Sequence, residues 1–133
     1  MRSLPVVVAT VCLMASSARA QDPVKVDAKH YSVVLENEQV RVLKIHYGPH
    51  EKSVMHEHPG AVAVFLTDGD VKFTMPDGKT QEMHPKAGSA QYTAAGKHLP
   101  ENLGDKPFDV MLVEVKGKAH HAAAKAEEKK AAP

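Results

Sequence analysis

The sequence predicts an all-β domain closed into a jelly-roll barrel, and three observations predict it. Between residues 31 and 116, short runs of alternating or continuous apolar residues recur. Turn signals separate these runs every eight to twelve residues or so, enough for roughly seven to nine strands. No segment in that region spaces its apolar residues by three and four over helical length. Such strands must close into a barrel or cover their edges, and a jelly roll does so.

The strands follow in order. Residues 31–36 read as a first strand. Residues 39–47 alternate apolar and polar over much of their length, as a half-buried strand does, and Gly48-Pro49 ends the run. An apolar run at 62–67 stops at Asp68-Gly69, and 70–75 alternates through Val71, Phe73 and Met75. Pro76-Asp77-Gly78-Lys79 is a turn, because proline presets φ and glycine accepts a positive φ. Residues 80–84 pair back as the second arm of that hairpin. Further strands are expected at 89–93, 98–103 and 108–116. With no Trp, three Tyr and three Phe, the core is expected to rest mainly on Val, Leu, Ile and Met.

Both ends differ in kind. Residues 1–20 read as a signal peptide: Arg2, an apolar run from Leu4 to Ala15 too short to span a bilayer comfortably, then Ala18-Arg19-Ala20 as a cleavage site. Gln21 becomes the mature N-terminus, and no stable membrane anchor remains. Cleavage removes Cys12, the only cysteine. That excludes disulfides, a thiol nucleophile and thiolate ligands from the mature chain. A periplasmic or secreted location follows. Residues 21–30 form a short polar lead to the domain at 31–116. Residues 117–133 are Ala-, Lys- and Glu-rich, lack large apolar side chains and read as a disordered tail.

The 133 residues suit one domain, and a net charge of +1 predicts no nucleic-acid partner. Neither a nucleophile elbow nor a Gly-rich phosphate loop is present. The chemistry lies in histidine. In a strand, residues two apart share a face, so His56 and His58 of His56-Glu57-His58 can grip one ion. Gly96-Lys97-His98 offers a third imidazole behind a glycine turn.

These residues carry a family resemblance. Gly48, His56-Glu57-His58 and Gly69, then Gly96, His98 and Asn102, resemble the two motifs of the cupin superfamily over about residues 40–116. The resemblance implies the cupin double-stranded β-helix and one divalent metal ion (Fe, Zn, Mn, Ni or Cu) on His56, His58 and His98. It also implies a homodimer, with residues 31–36 as the candidate contributor. Three departures stand out: Val62 takes the place of the motif glutamate, the gap from Gly48 to the histidines is long, and Ala94 replaces a proline. A site of three neutral imidazoles leaves the ion's charge uncompensated and favours an anionic ligand.

The remaining candidates are read as bystanders. Glu57 alternates with the histidines and faces away. Either Gln91 or Tyr92 points into the barrel as a polar rim residue. His50 is a loop residue, and His30, His46 and His84 are expected on the surface. Met55 and Met75 pack the barrel. Asn102 ties a turn beside His98, and His120-His121 is a solvated pair in the tail. The sequence singles out no general base and no other catalytic residue. Two functions remain. One is a metal-dependent oxygenase or isomerase-type enzyme acting on a small molecule. The other is a non-catalytic periplasmic module that binds a small ligand or metal.

Overall fold

Alternation in sequence becomes alternation in space. In the computed structural model, which describes residues 21–117, Leu43, Ile45 and Tyr47 turn inward while Lys44 and His46 face solvent. They lie on β2 (Val40–Tyr47), which follows a single helical turn, α1 (Pro23–Val26), and β1 (Tyr31–Glu36). Then come β3 (His56–His58), β4 (Ala61–Phe65), β5 (Val71–Thr74), β6 (Thr80–Met83), β7 (Ala90–Thr93), β8 (Gly96–Asn102) and β9 (Phe108–Val115).

Two antiparallel sheets result. The larger has the order β1-β2-β9-β4-β7 and the smaller β3-β8-β5-β6. Their inner faces enclose a core of Leu43, Ile45, Ala61, Val71, Val110 and Leu112 with Tyr31, Tyr47, Phe65 and Phe108. The core is thus more aromatic and less Met-rich than composition led us to expect. The few rings lie inside because each removes a large apolar area from water. Met83 only packs against the cluster from partial burial.

The turn after β5 matches its sequence signal. Gly78 has φ 83°, the Asp77 side chain accepts from Lys79 N–H, and Met75 N–H donates to the Lys79 carbonyl. The lead at 21–30 is more ordered than its polarity suggested. Asp22 caps α1 by accepting from Val24 N–H at 3.0 Å, and Pro23 occupies the first helical turn. Among the described residues no helix is long and apolar enough to cross a membrane. The signal-peptide, His120-His121 and tail readings lie outside the described residues.

Candidate metal centre

Pairing of β3 with β8 sets the site. The register places His56 opposite His98, Glu57 opposite Lys97 and His58 opposite Gly96. Strand parity points His56 and His58 to one face and Glu57 to the other. Consequently a ring nitrogen from each of His56, His58 and His98 lies within 4.8 Å of the other two. His56 and His58 are buried and His98 is half-buried. Their ring centroids are 4.8–5.3 Å apart with the planes steeply crossed.

The rings are held from behind. His56 Nδ1 donates to the Val54 carbonyl at 2.8 Å. His58 Nδ1 donates to Glu114 Oε1 at 2.8 Å. Both partners are acceptors, so in the neutral rings Nδ1 carries the proton and Nε2 is left with a lone pair. The two Nε2 atoms stand 3.1 Å apart. At that distance a proton or a cation must lie between them, and three convergent ring nitrogens fit a divalent ion on this ground. Burial, then the neighbouring His58, pushes the His56 pKa down to about 4. Burial, then His58 and His56, takes that of His98 down to about 3. Both rings are therefore neutral and able to ligate at ordinary pH.

Glu114 escaped the sequence reading. It is 2% exposed, and its second oxygen accepts from Arg41 Nε at 2.6 Å. Burial alone would raise its pKa, but hydrogen bonds from His58 and Arg41 outweigh burial and hold it below the usual value. The signal lay in the alternation Phe108, Val110, Leu112, Glu114, which puts a lone carboxylate on the buried face of β9. Opposite it on β4 stands Ala61. The cavity is lined from β4 by Ala63 and Phe65, so Val62 sits on the outer face. The motif glutamate's inward place therefore falls to an alanine, a correction that follows from strand parity.

Tyr31 was likewise missed as a site residue. Its Oη lies 3.1 Å from His56 Nε2 and 2.8 Å from Tyr47 Oη. Burial holds both phenols above their usual pKa. His30, expected on the surface, is 6% exposed. It stacks on Tyr47 at 4.3 Å and is held between Asp27 at 2.8 Å and Glu51 at 3.0 Å. Two carboxylate partners satisfy both ring nitrogens, which is what makes a buried histidine tolerable.

Other candidates stay outside the cluster. His46, His50 and His84 are exposed and pair with Asp109, Asp105 and Asp70. Asn102 ties backbone: its amide donates to the Gly48 and Lys106 carbonyls, and its oxygen accepts from Gly104 N–H. Met75 lines the barrel interior, Gln91 lines its mouth, and Tyr92 points outward at 67% exposure.

The site opens into a cavity of about 160 Å³. Phe65, Phe73, Met83, Val110 and Leu112 supply apolar wall, while Gln81, Gln91 and Thr93 add polar groups. No Asp, Glu, Lys or Arg lines it among the described residues.

No protein-family sequence model matches the chain, and no curated protein matches it. Solved structures do. A cupin domain from Bordetella pertussis Tohama I shares 25% identity, covering 65% of this chain and 92% of that one, with a TM-score of 0.61. An uncharacterised conserved protein with a double-stranded β-helix domain from Klebsiella pneumoniae shares 27%, covering 67% and 77%, with a TM-score of 0.54. An RmlC-like cupin family protein from Methanocaldococcus jannaschii shares 20%, covering 67% and 83%, with a TM-score of 0.53, which speaks for the fold. Two antiparallel sheets closed around a buried three-histidine cluster, together with these likenesses, make this chain a member of the cupin superfamily with the double-stranded β-helix fold.

Proposed function

We propose that the chain is a metal-dependent cupin that holds one divalent ion, Fe, Zn, Mn, Ni or Cu, on His56, His58 and His98. In this reading it acts on a small molecule in the barrel cavity, with oxygenase-type chemistry. The observation that carries the reading is the convergence of ring nitrogens from His56, His58 and His98 within 4.8 Å of one another, with His58 and His98 lining an apolar cavity. An ion held there supplies Lewis acidity or, for iron or copper, redox chemistry.

The chain's own residues do the rest. Val54 and Glu114 fix the ligand rings, as outer partners do at metal sites. Phe65 and Phe73 keep water from the cavity, and Gln81, Gln91 and Thr93 give a ligand polar points of orientation. Isomerase-type chemistry needs a positioned general base, and the absence of carboxylate or lysine from the described lining disfavours it. That same absence favours a second reading, a non-catalytic module that only binds a small ligand or metal.

Metal analysis of the purified protein, with oxygen uptake measured against a panel of small acids, diketones and diols, decides between the two. Bound iron or copper with substrate-dependent uptake supports the enzyme. Bound metal without turnover leaves the binding module. Absence of any bound or bindable metal removes the enzyme reading and leaves only a module for a small ligand.

Export to the periplasm or medium, with Gln21 as first residue, is part of the same proposal and rests on the pattern of residues 1–20. N-terminal sequencing of the secreted or periplasmic protein tests it. A homodimer is proposed through β1, an edge strand whose Val33, Val34 and Leu35 are exposed and which carries no Lys or Pro to block pairing. Sedimentation of Leu35→Lys against the parent chain tests that.

A further inference from the structure

The Tyr31 hydroxyl stands where its own strand has no motif to explain it. It belongs to the first residue of β1, outside the histidine-bearing strands, and the side chain is 3% exposed. Its ring lies edge-on to His56 at 4.9 Å and tilted to His58 at 5.8 Å. The 3.1 Å from Tyr31 Oη to His56 Nε2 equals the 3.1 Å between His56 Nε2 and His58 Nε2. Donors bound to one ion at about 2.0–2.1 Å each stand roughly 3 Å apart when they are neighbours around it. Tyr31 Oη thus keeps the spacing of an adjacent ligand.

Charge and elimination point the same way. Three imidazoles bring no negative charge to a divalent ion. Strand β4 turns only Ala61, Ala63 and Phe65 inward. Glu114 has one oxygen on His58 Nδ1 and the other on Arg41 Nε, so both face away from the Nε2 cluster.

We infer that Tyr31 Oη is the fourth protein ligand of the metal centre, doing the work of the missing acidic side chain. The inference rests on the metal reading above. On coordination the oxygen's electron pair goes to the ion, the O–H bond breaks and the proton leaves to bulk water, as a thiol loses its proton to zinc. Tyr47, 2.8 Å away, then donates its hydrogen bond to the phenolate oxygen. The phenolate cancels one positive charge in a cavity that no carboxylate lines among the described residues.

The test is a Cu(II) titration of the metal-free full chain, followed by visible absorption and resonance Raman spectroscopy. The parent protein is expected to show a phenolate-to-copper charge-transfer band with phenolate ring vibrations. Tyr31→Phe is expected to lose both and to bind Cu(II) at least about tenfold more weakly, with an unchanged far-UV circular dichroism spectrum. Tyr47→Phe keeps the band, and if Tyr31→Phe does not fold, the parent spectrum and Tyr47→Phe decide the matter. Cu(II) uptake that His98→Ala abolishes, with no phenolate band in the parent chain, overturns the role of Tyr31 and leaves the three-histidine centre standing. A band that survives in Tyr31→Phe overturns it equally. Failure of the parent chain to bind any Cu(II) beyond what His98→Ala binds removes the metal centre itself, and this inference with it.

Discussion

His56 and His98 face each other across the β3–β8 pair, one residue directly opposite the other, with ring centroids 5.1 Å apart and planes at 88°. A shift of one residue in that register would turn His98 to the far face, because side chains alternate along a strand. The site is therefore a property of the pairing as much as of the histidines.

Replacing His98 by alanine should abolish stoichiometric metal binding and leave the fold intact. The ring is half-buried and packs on Phe73 at 4.9 Å, so the stability loss should be modest, about 1 kcal/mol. His56→Ala should release the metal as well. Metal content by mass spectrometry, alongside circular dichroism, checks both. Retention of full metal by either variant would exclude the three-histidine centre.

Glu114→Ala should cost about 3 kcal/mol of stability, since it leaves the mostly buried Arg41 without one of its two carboxylates. It should also weaken metal binding by about 10–100-fold through loss of the His58 orienting bond. Glu114→Gln keeps an acceptor for His58 Nδ1 and should lose less on both counts. Urea unfolding and chelator competition separate the two effects.

The metal-free chain should lose stability on acidification. Folded His56 and His98 titrate at about 4 and about 3, against 6.5 for an unperturbed imidazole. Through that window the unfolded chain binds more protons than the folded one, so stability rises with pH and is lost as pH falls below about 6.5. Thermal midpoints of the apo protein between about pH 7 and 4 should fall more steeply in the parent than in His98→Phe.

Asn102→Ala should destabilise by roughly 2–4 kcal/mol, because three partly buried hydrogen bonds to backbone are lost together. The Gly48 carbonyl and the loop at Gly104 would both be released, while the β3–β8 register would remain. Denaturation midpoints check the loss. Metal content, measured below the unfolding range, should stay at the parent value.

What could be read in the chain, and what could not, divides by distance along it. The hairpin turn at Gly78, the strand Tyr31–Glu36 and the shared face of His56 and His58 all depend on neighbours within a few residues. Asn102 was legible as a turn residue for the same reason. Glu114 is joined to its partners only through the β2–β9 and β4–β9 pairings, which bring it beside Arg41 and Ala61. Its lone place in an apolar alternation was a local sign of burial, but nothing local named His58 as its partner. Tyr31 was harder still, since β1 carries an irregularity between Val33 and Leu35 that breaks the simple alternation. His30 looked exposed because its neighbours are polar, and only the fold brings Glu51 and the ring of Tyr47 to it.

Arg41 reaches Asp22 with one nitrogen and Glu114 with another, while from the same opening stretch Tyr31 touches His56 directly and Asp27 reaches it through Ser53. A recombinant fragment trimmed to the barrel strands alone would therefore be a poor proxy. It would keep the three clustered imidazoles and Glu114 yet lose Asp22, which steadies Arg41, and Asp27, which holds Ser53 beside His56, and measurements on it would understate what the intact chain can hold.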